Sequence, residues 1–162
     1  MPSQTSEQSM TELQKLSKKS PMQLDIVSPE GVLFSGKTIG VFLKSIEGEL
    51  GILPGHLQLL TQVAPCSLRL IKPDSEEIIL FISGGLLEVQ PKIATLLADT
   101  ALRPQDVNES SAKEAAENAK KLLENKKISP KDFQQAQQEL LEAMAKLQVI
   151  ELMRARKKKS SI

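Results

Sequence analysis

The sequence predicts an α+β chain in two parts: an antiparallel β-sandwich over residues 22–103, then an antiparallel two-helix hairpin with a basic tail over 104–162. Three observations carry this reading. All eight glycines fall between Gly31 and Gly85. Short apolar runs alternate with turn residues through that same stretch. After Pro104 the apolar residues recur at spacings of three and four, the period of a helix face.

Residues 1–21 are Ser-, Gln-, Thr- and Lys-rich with few apolar positions, and read as a disordered tail with one weak helical turn near 11–17. Leu24 and Ile26 then alternate with Gln23, Asp25 and Val27, a half-buried strand. Further strands are expected at 31–34, 38–43, 49–52, 67–71, 77–82, 86–90 and 93–98. Lys72-Pro73-Asp74-Ser75 and Gln90-Pro91-Lys92 supply hairpin turns. In the first helix Ala112, Ala115, Ala116, Ala119, Leu122 and Leu123 form one face, and Glu124-Asn125-Lys126-Lys127 ends it. Ser129-Pro130 starts the second helix, Ser as N-cap and Pro at the first helical position. Its expected apolar face is Phe133, Ala136, Leu140, Ala143, Met144, Leu147 and Ile150. The alanine-rich seam implies close contact that buries little area per residue.

Composition narrows the function. The 162 residues include four Phe, no Trp and no Tyr, so the core is aliphatic and lacks the rings on which single-stranded nucleic acid stacks. Net charge is +1, spread as six basic against nine acidic groups in 23–103 and twelve against nine in 104–162. That is far too small a basic excess for a nucleic-acid binder. The single cysteine, Cys66, excludes an internal disulfide framework. No apolar run reaches the ~20 residues of a membrane-spanning helix, so any membrane association is expected to come through partners.

Glu47-Gly-Glu-Leu-Gly-Ile-Leu-Pro-Gly-His56, followed by Leu59-Leu60-Thr61, closely resembles the hallmark segment of the epsilon subunits of bacterial F-type ATP synthases. Ser83-Gly-Gly-Leu-Leu-Glu-Val-Gln90 and Leu96-Leu-Ala-Asp-Thr-Ala101 resemble that family's second and third signatures, in the expected order. The resemblance runs from about residue 23 to 154. It implies a non-catalytic central-stalk subunit that links gamma to the ring of c subunits and restrains ATP hydrolysis through its C-terminal helices. It also implies no cofactor, contact with alpha and beta through the hairpin, and a place on the cytoplasmic face of the bacterial plasma membrane. The alternative from another class is a free-standing adaptor or chaperone that presents a helical hairpin, which leaves the glycine-rich hallmark unexplained.

The resemblance assigns Glu47, Gly48, Glu49, Gly51, Pro54, Gly55 and His56 to the surface that meets gamma and the c ring, with Glu49 at the c-ring position. On the residues alone, Gly48, Gly51 and Gly55 permit positive φ and close approach, which serves a turn-rich strand connection equally well. His56 is the only histidine, so it cannot build a zinc site. No acyl-transfer signature surrounds it or Cys66. Gly48-Glu-Leu-Gly51 and Gly84-Gly85 match neither the P-loop nor the dinucleotide fingerprint. Members of the resembled family that bind ATP carry an aliphatic residue, Asp, two residues, Arg and Ala in the second helix. Here Lys131 and Gln135 replace the aliphatic residue and the arginine, and Glu142 replaces a second arginine. A nucleotide role for Asp132 is therefore doubtful, since Gln offers a phosphate no charged fork. Arg154, Arg156, Lys157, Lys158 and Lys159 read either as a solvated basic end or, by the resemblance, as the part that meets the beta subunits.

Overall fold

The computed structural model describes residues 20–160, so most of the expected tail and its turn near 11–17 lie outside the described residues. Ten strands run from β1 (Met22–Ser28) and β2 (Gly31–Thr38) through β3 (Gly40–Ser45), β4 (Gly48–Ile52), β5 (Leu59–Val63), β6 (Cys66–Ile71), β7 (Glu77–Ile82), β8 (Gly85–Val89) and β9 (Ile93–Ala98) to the short β10 (Ala101–Leu102). Their hydrogen-bonded order is β10-β7-β6-β3-β5-β8-β9-β1-β2, with β4 added on β3. β3 and β5 share only the pair Ser45↔Val63, so the ladder folds there into two layers. All pairings are antiparallel except β1 with β9, which is parallel.

Alternation builds the core. Met22, Leu24 and Ile26 of β1, Val41 and Leu43 of β3, Leu68 and Leu70 of β6, and Leu87 and Leu96 of β8 and β9 are all buried between the layers. Each such side chain contributes roughly 1.5–3 kcal/mol of burial, which is how a core without Trp or Tyr is held. The stretch 38–43, expected as one strand, is divided. Thr38 ends β2 and Gly40 begins β3, because the chain turns a corner where the buried Thr38 hydroxyl donates to the Ile71 carbonyl (2.7 Å).

Two helices follow a single 3₁₀ turn at Pro104–Asp106: α1 (Glu109–Glu124) and α2 (Pro130–Ser160). Asn108 caps α1, its Oδ1 accepting from the Ser111 amide (3.0 Å). Ser129 caps α2 as expected, its Oγ accepting from the Asp132 amide (3.1 Å). At 16 and 31 residues the helices span about 24 and about 46 Å. Ala112, Ala116 and Ala119 of α1 and Ala136 and Ala143 of α2 are buried. The expected faces are corrected at several positions. Ala115 is exposed, and Leu122, Phe133 and Met144 are 47%, 39% and 53% exposed. The buried residues missing from the expected face are Ala145 and Val149, which pack with Ile79 and Phe81 of β7, joined by Leu102 and Val107. The reason is that α2 has two partners, α1 and the sheet, and a one-face reading supplies only one.

Candidate functional site

The hallmark segment is a turn, a strand and a second turn rather than one loop. At its start the buried Ser45 hydroxyl accepts from the Glu47 amide (3.1 Å) and donates to the Gly48 carbonyl (3.1 Å), while Gly48 sits at φ 130°. This fixes a tight β3–β4 turn with Glu47 and a 60% exposed Ile46 at its tip. β4 then carries the chain about 16 Å to the other end of the sandwich. There Leu53-Pro54-Gly55-His56 closes a turn, the His56 amide donating to the Leu53 carbonyl (3.0 Å) with Gly55 at φ 86°. Pro followed by a positive-φ Gly is the type II pattern. The Gly55 amide donates to the Pro91 carbonyl (2.9 Å), which seats this turn beside the β8–β9 turn. His56 Nδ1 lies 2.7 Å from the Leu57 carbonyl, and because a carbonyl only accepts, Nδ1 carries the proton of that bond.

The expected interface residues therefore fall into two groups, Glu47 and Gly48 at one end and Pro54, Gly55 and His56 at the other. Between them Glu49 and Gly51 stand on the outer face of β4. Gly51, unlike Gly48 and Gly55, is not at positive φ. It pairs across β3 with Phe42, whose ring would meet an added Cβ at 3.3 Å, and the Arg69 guanidinium lies 4.9 Å from that ring's centre. Its lack of a side chain makes room for an aromatic neighbour. Glu49 lines a cleft of about 580 Å³ between sheet and hairpin, with Lys44, Ser67, Lys120, Gln148 and Glu151. Cys66 is buried in that cleft's floor, where burial pushes its thiol up. His56 lies at the opposite end of the sheet, so the two are not brought together.

The hairpin lies on the outer face of β6 and β7. Besides the apolar contact of Ala145 and Val149, Ser67 Oγ donates to Gln148 Oε1 (3.2 Å) and Arg156 donates to the backbone carbonyl of Glu77. Arg154 binds Glu109 through both arms, Nη1 to Oε1 at 3.1 Å and Nη2 to Oε2 at 2.5 Å. With Lys113 at 2.9 Å, the Arg154 fork holds the Glu109 carboxyl down at about 2. Two of the five basic residues are thus engaged within the chain, while Lys157, Lys158 and Lys159 make no ion pair among the described residues. Asp132 Oδ2 accepts from Ser129 Oγ (2.6 Å), Gln135 donates to Glu139 (3.0 Å), and Glu142 pairs with Lys146 (3.1 Å). Asp132, Gln135 and Glu142 are thus each engaged by near neighbours in the chain.

The opposite outer face carries exposed apolar residues that sequence reasoning missed, and its Leu86–Leu97 end opens into a cleft of about 800 Å³ that Gln138 and Leu141 of α2 also line. Leu86 of β8, Leu97 of β9, Val27 of β1 and Val32 of β2 stand in register across four strands. Leu86, Leu97 and Val32 are 40%, 53% and 66% exposed. Neighbouring Leu60 and the tip residue Leu57 are 66% and 82% exposed. The signal was available in the doublets Leu86-Leu87 and Leu96-Leu97, since consecutive apolar residues on a strand load both faces. Among the described residues no helix is long and apolar enough to cross a membrane.

Residues 21–104 match the family described as ATP synthase, Delta/Epsilon chain, beta-sandwich domain, and residues 105–151 its long alpha-helix domain. An ATP synthase epsilon chain of Hydrogenovibrio crunogenus is 48% identical over 141 residues, covering 87% of this chain and 96% of that one. Among solved structures, a chain of the Euglena gracilis mitochondrial ATP synthase (OSCP/F1/c-ring, rotational state 1) superposes with a TM-score of 0.70 at 18% identity, covering 78% of this chain and 79% of that one. A chain of the Tetrahymena thermophila mitochondrial ATP synthase central stalk and c-ring gives 0.60 at 13% identity, covering 82% and 98%. At those identities the two structures attest the fold.

Proposed function

The chain belongs to the ATP synthase delta/epsilon family, and we propose that it is the non-catalytic central-stalk subunit that fastens gamma to the c ring and restrains ATP hydrolysis through its helical hairpin. The observation that carries this reading is the contrast between the sandwich's two outer faces. One is covered by the chain's own α2, and the other exposes Leu86, Leu97 and Val32 of an in-register apolar row whose fourth member, Val27, is half-buried. An exposed apolar patch of this kind marks a protein interface. Gamma is the partner we assign to it. The Glu47 turn, at the end of the sandwich beside Ile46, is the part we assign to the c ring.

The regulatory half rests on how little holds α2 to the sheet: two small side chains, Ala145 and Val149, two polar ties, and Lys146 Nζ lying 5.1 Å from the centre of the Phe81 ring. A docked and an extended hairpin then differ by little free energy, so partners and nucleotide state of the complex shift the population between them. In the extended state the basic end, Arg154 to Lys159, meets the acidic surface of the beta subunits. Membrane association follows from the c ring, on the cytoplasmic face of the bacterial plasma membrane.

The test is reconstitution with L86E/L97E. These positions are solvent-facing, so the sandwich should fold, while co-elution with gamma should fall at least tenfold. Undiminished co-elution, with normal assembly, would remove the face from the interface. Deleting 105–162 should leave assembly intact and raise hydrolysis; equal hydrolysis with and without the hairpin refutes the regulatory half.

A further inference from the structure

The seam between α1 and α2 buries small apolar side chains, Ala112, Ala116 and Ala119 against Ala136 and Ala143. Arg154 and Glu109 form the only ion pair that joins the two helices among the described residues. They are 45 residues apart in sequence, near the end of α2 and at the first turn of α1, and both guanidinium arms engage both carboxylate oxygens. Fork-to-fork geometry makes the pair directional, whereas Ala-to-Ala contact is not. Arg156, half a turn further on, ties the same end of α2 to the Glu77 carbonyl on β7.

We propose that Glu109 and Arg154 form a latch that decides how the hairpin leaves the sheet. With the latch closed, α1 and α2 move as one body, and what breaks is the Arg156 and Ser67–Gln148 ties, the Ala145 and Val149 contact and the stacking of Lys146 over the Phe81 ring. With it open, α2 separates from α1 along the alanine seam and Arg154 becomes available to an acidic surface elsewhere. Glu109 thus competes, from within the chain, for a residue assigned above to the beta subunits. This inference deepens the regulatory reading and rests on it. The groups facing Glu109 are Arg154 and Lys113, and Glu151 adds a second negative charge near Arg154. A pair exposed in this way is sensitive to salt.

The experiment compares hydrogen exchange in the full-length wild type, E109Q, R154Q and the charge-swapped E109R/R154E. E109Q keeps the side chain's size and the Asn108 cap. Amides of α2 around Ala136–Ala143 should exchange roughly two- to five-fold faster in each single variant, the range expected of an exposed ion pair. Amides of β1 and β9 should not change, the swap should restore protection, and raised ionic strength should bring the wild type to the level of E109Q. Unchanged exchange in both single variants, or a swap no better protected than they are, overturns the latch. ATP hydrolysis by the assembled enzyme separates the two levels. E109Q should lower hydrolysis by freeing Arg154, and R154Q should not. Faster exchange with hydrolysis unmoved in E109Q upholds the latch and counts against the regulatory reading instead.

Discussion

Val149 is completely buried at the seam between α2 and β7, against Ile79, Phe81 and Ala145. Val149→Ala removes two methyl groups from that site. The transfer term is about 0.8 kcal/mol per group, and incomplete collapse of the cavity brings the total to roughly 2 kcal/mol. Because this cluster is separate from the one between the two sheets, the loss falls on docking rather than on the sandwich. A change of that size alters the docked-to-undocked ratio by roughly thirty-fold. Amide exchange across α2 should rise by about that factor, while the sandwich amides keep wild-type protection. If the hairpin restrains hydrolysis as proposed, hydrolysis by the assembled complex should fall as more of it is released. If the sandwich amides lose protection in step with α2, the two clusters form one cooperative unit and the division argued here is wrong.

Gly85 sits at φ 148°, and a Cβ there would meet the Leu97 carbonyl oxygen at 2.1 Å. Gly85→Ala should therefore lower stability by about 3 kcal/mol or more, visible as a large drop in Tm, whereas Gly48→Ala, at φ 130° with open space around it, should cost only about 1–2 kcal/mol. An equal effect of the two substitutions would contradict the steric argument. Calorimetry of the isolated chain should detect no tight ATP binding, and Asp132→Ala should loosen the first turn of α2 by about 1 kcal/mol without altering any nucleotide signal; micromolar affinity lost on that substitution would reverse the assignment. Glu109, usually near 4.5, is held at about 2 in the folded chain, so its contribution is complete above pH 4.5 and declines as pH falls toward 2. Protection of the helix seam should fade through that window in the wild type and stay flat in E109Q, and identical profiles would show that another carboxylate dominates.

The parts of the fold that sequence made legible are those governed by short-range period. Leu24 and Ile26 declare β1 by alternation, and Ser129-Pro130 declares the start of α2 by capping chemistry. β5 went unseen because Leu59-Leu60-Thr61 was absorbed into the hallmark segment and its five residues lack a clean alternation. Ala145 and Val149 were missed because they belong to a contact with a strand more than sixty residues earlier, which no helical period encodes. The same holds for Arg154, whose fixed partner is 45 residues away, and for the separation of Glu47 from His56 by the length of β4. Local order shows what a residue can do, and long-range register decides what it meets.

Phe81 is fully buried in the seam beneath α2, and it shares the chain with three other phenylalanines and no Trp or Tyr. Optically, then, the protein is nearly dark: it barely absorbs at 280 nm and has no indole emission of its own. An indole introduced at position 81 would shine against an empty background, its colour set by whether a helix or water lies over it. The same emission could be followed inside a purified complex whose other tryptophans had been removed.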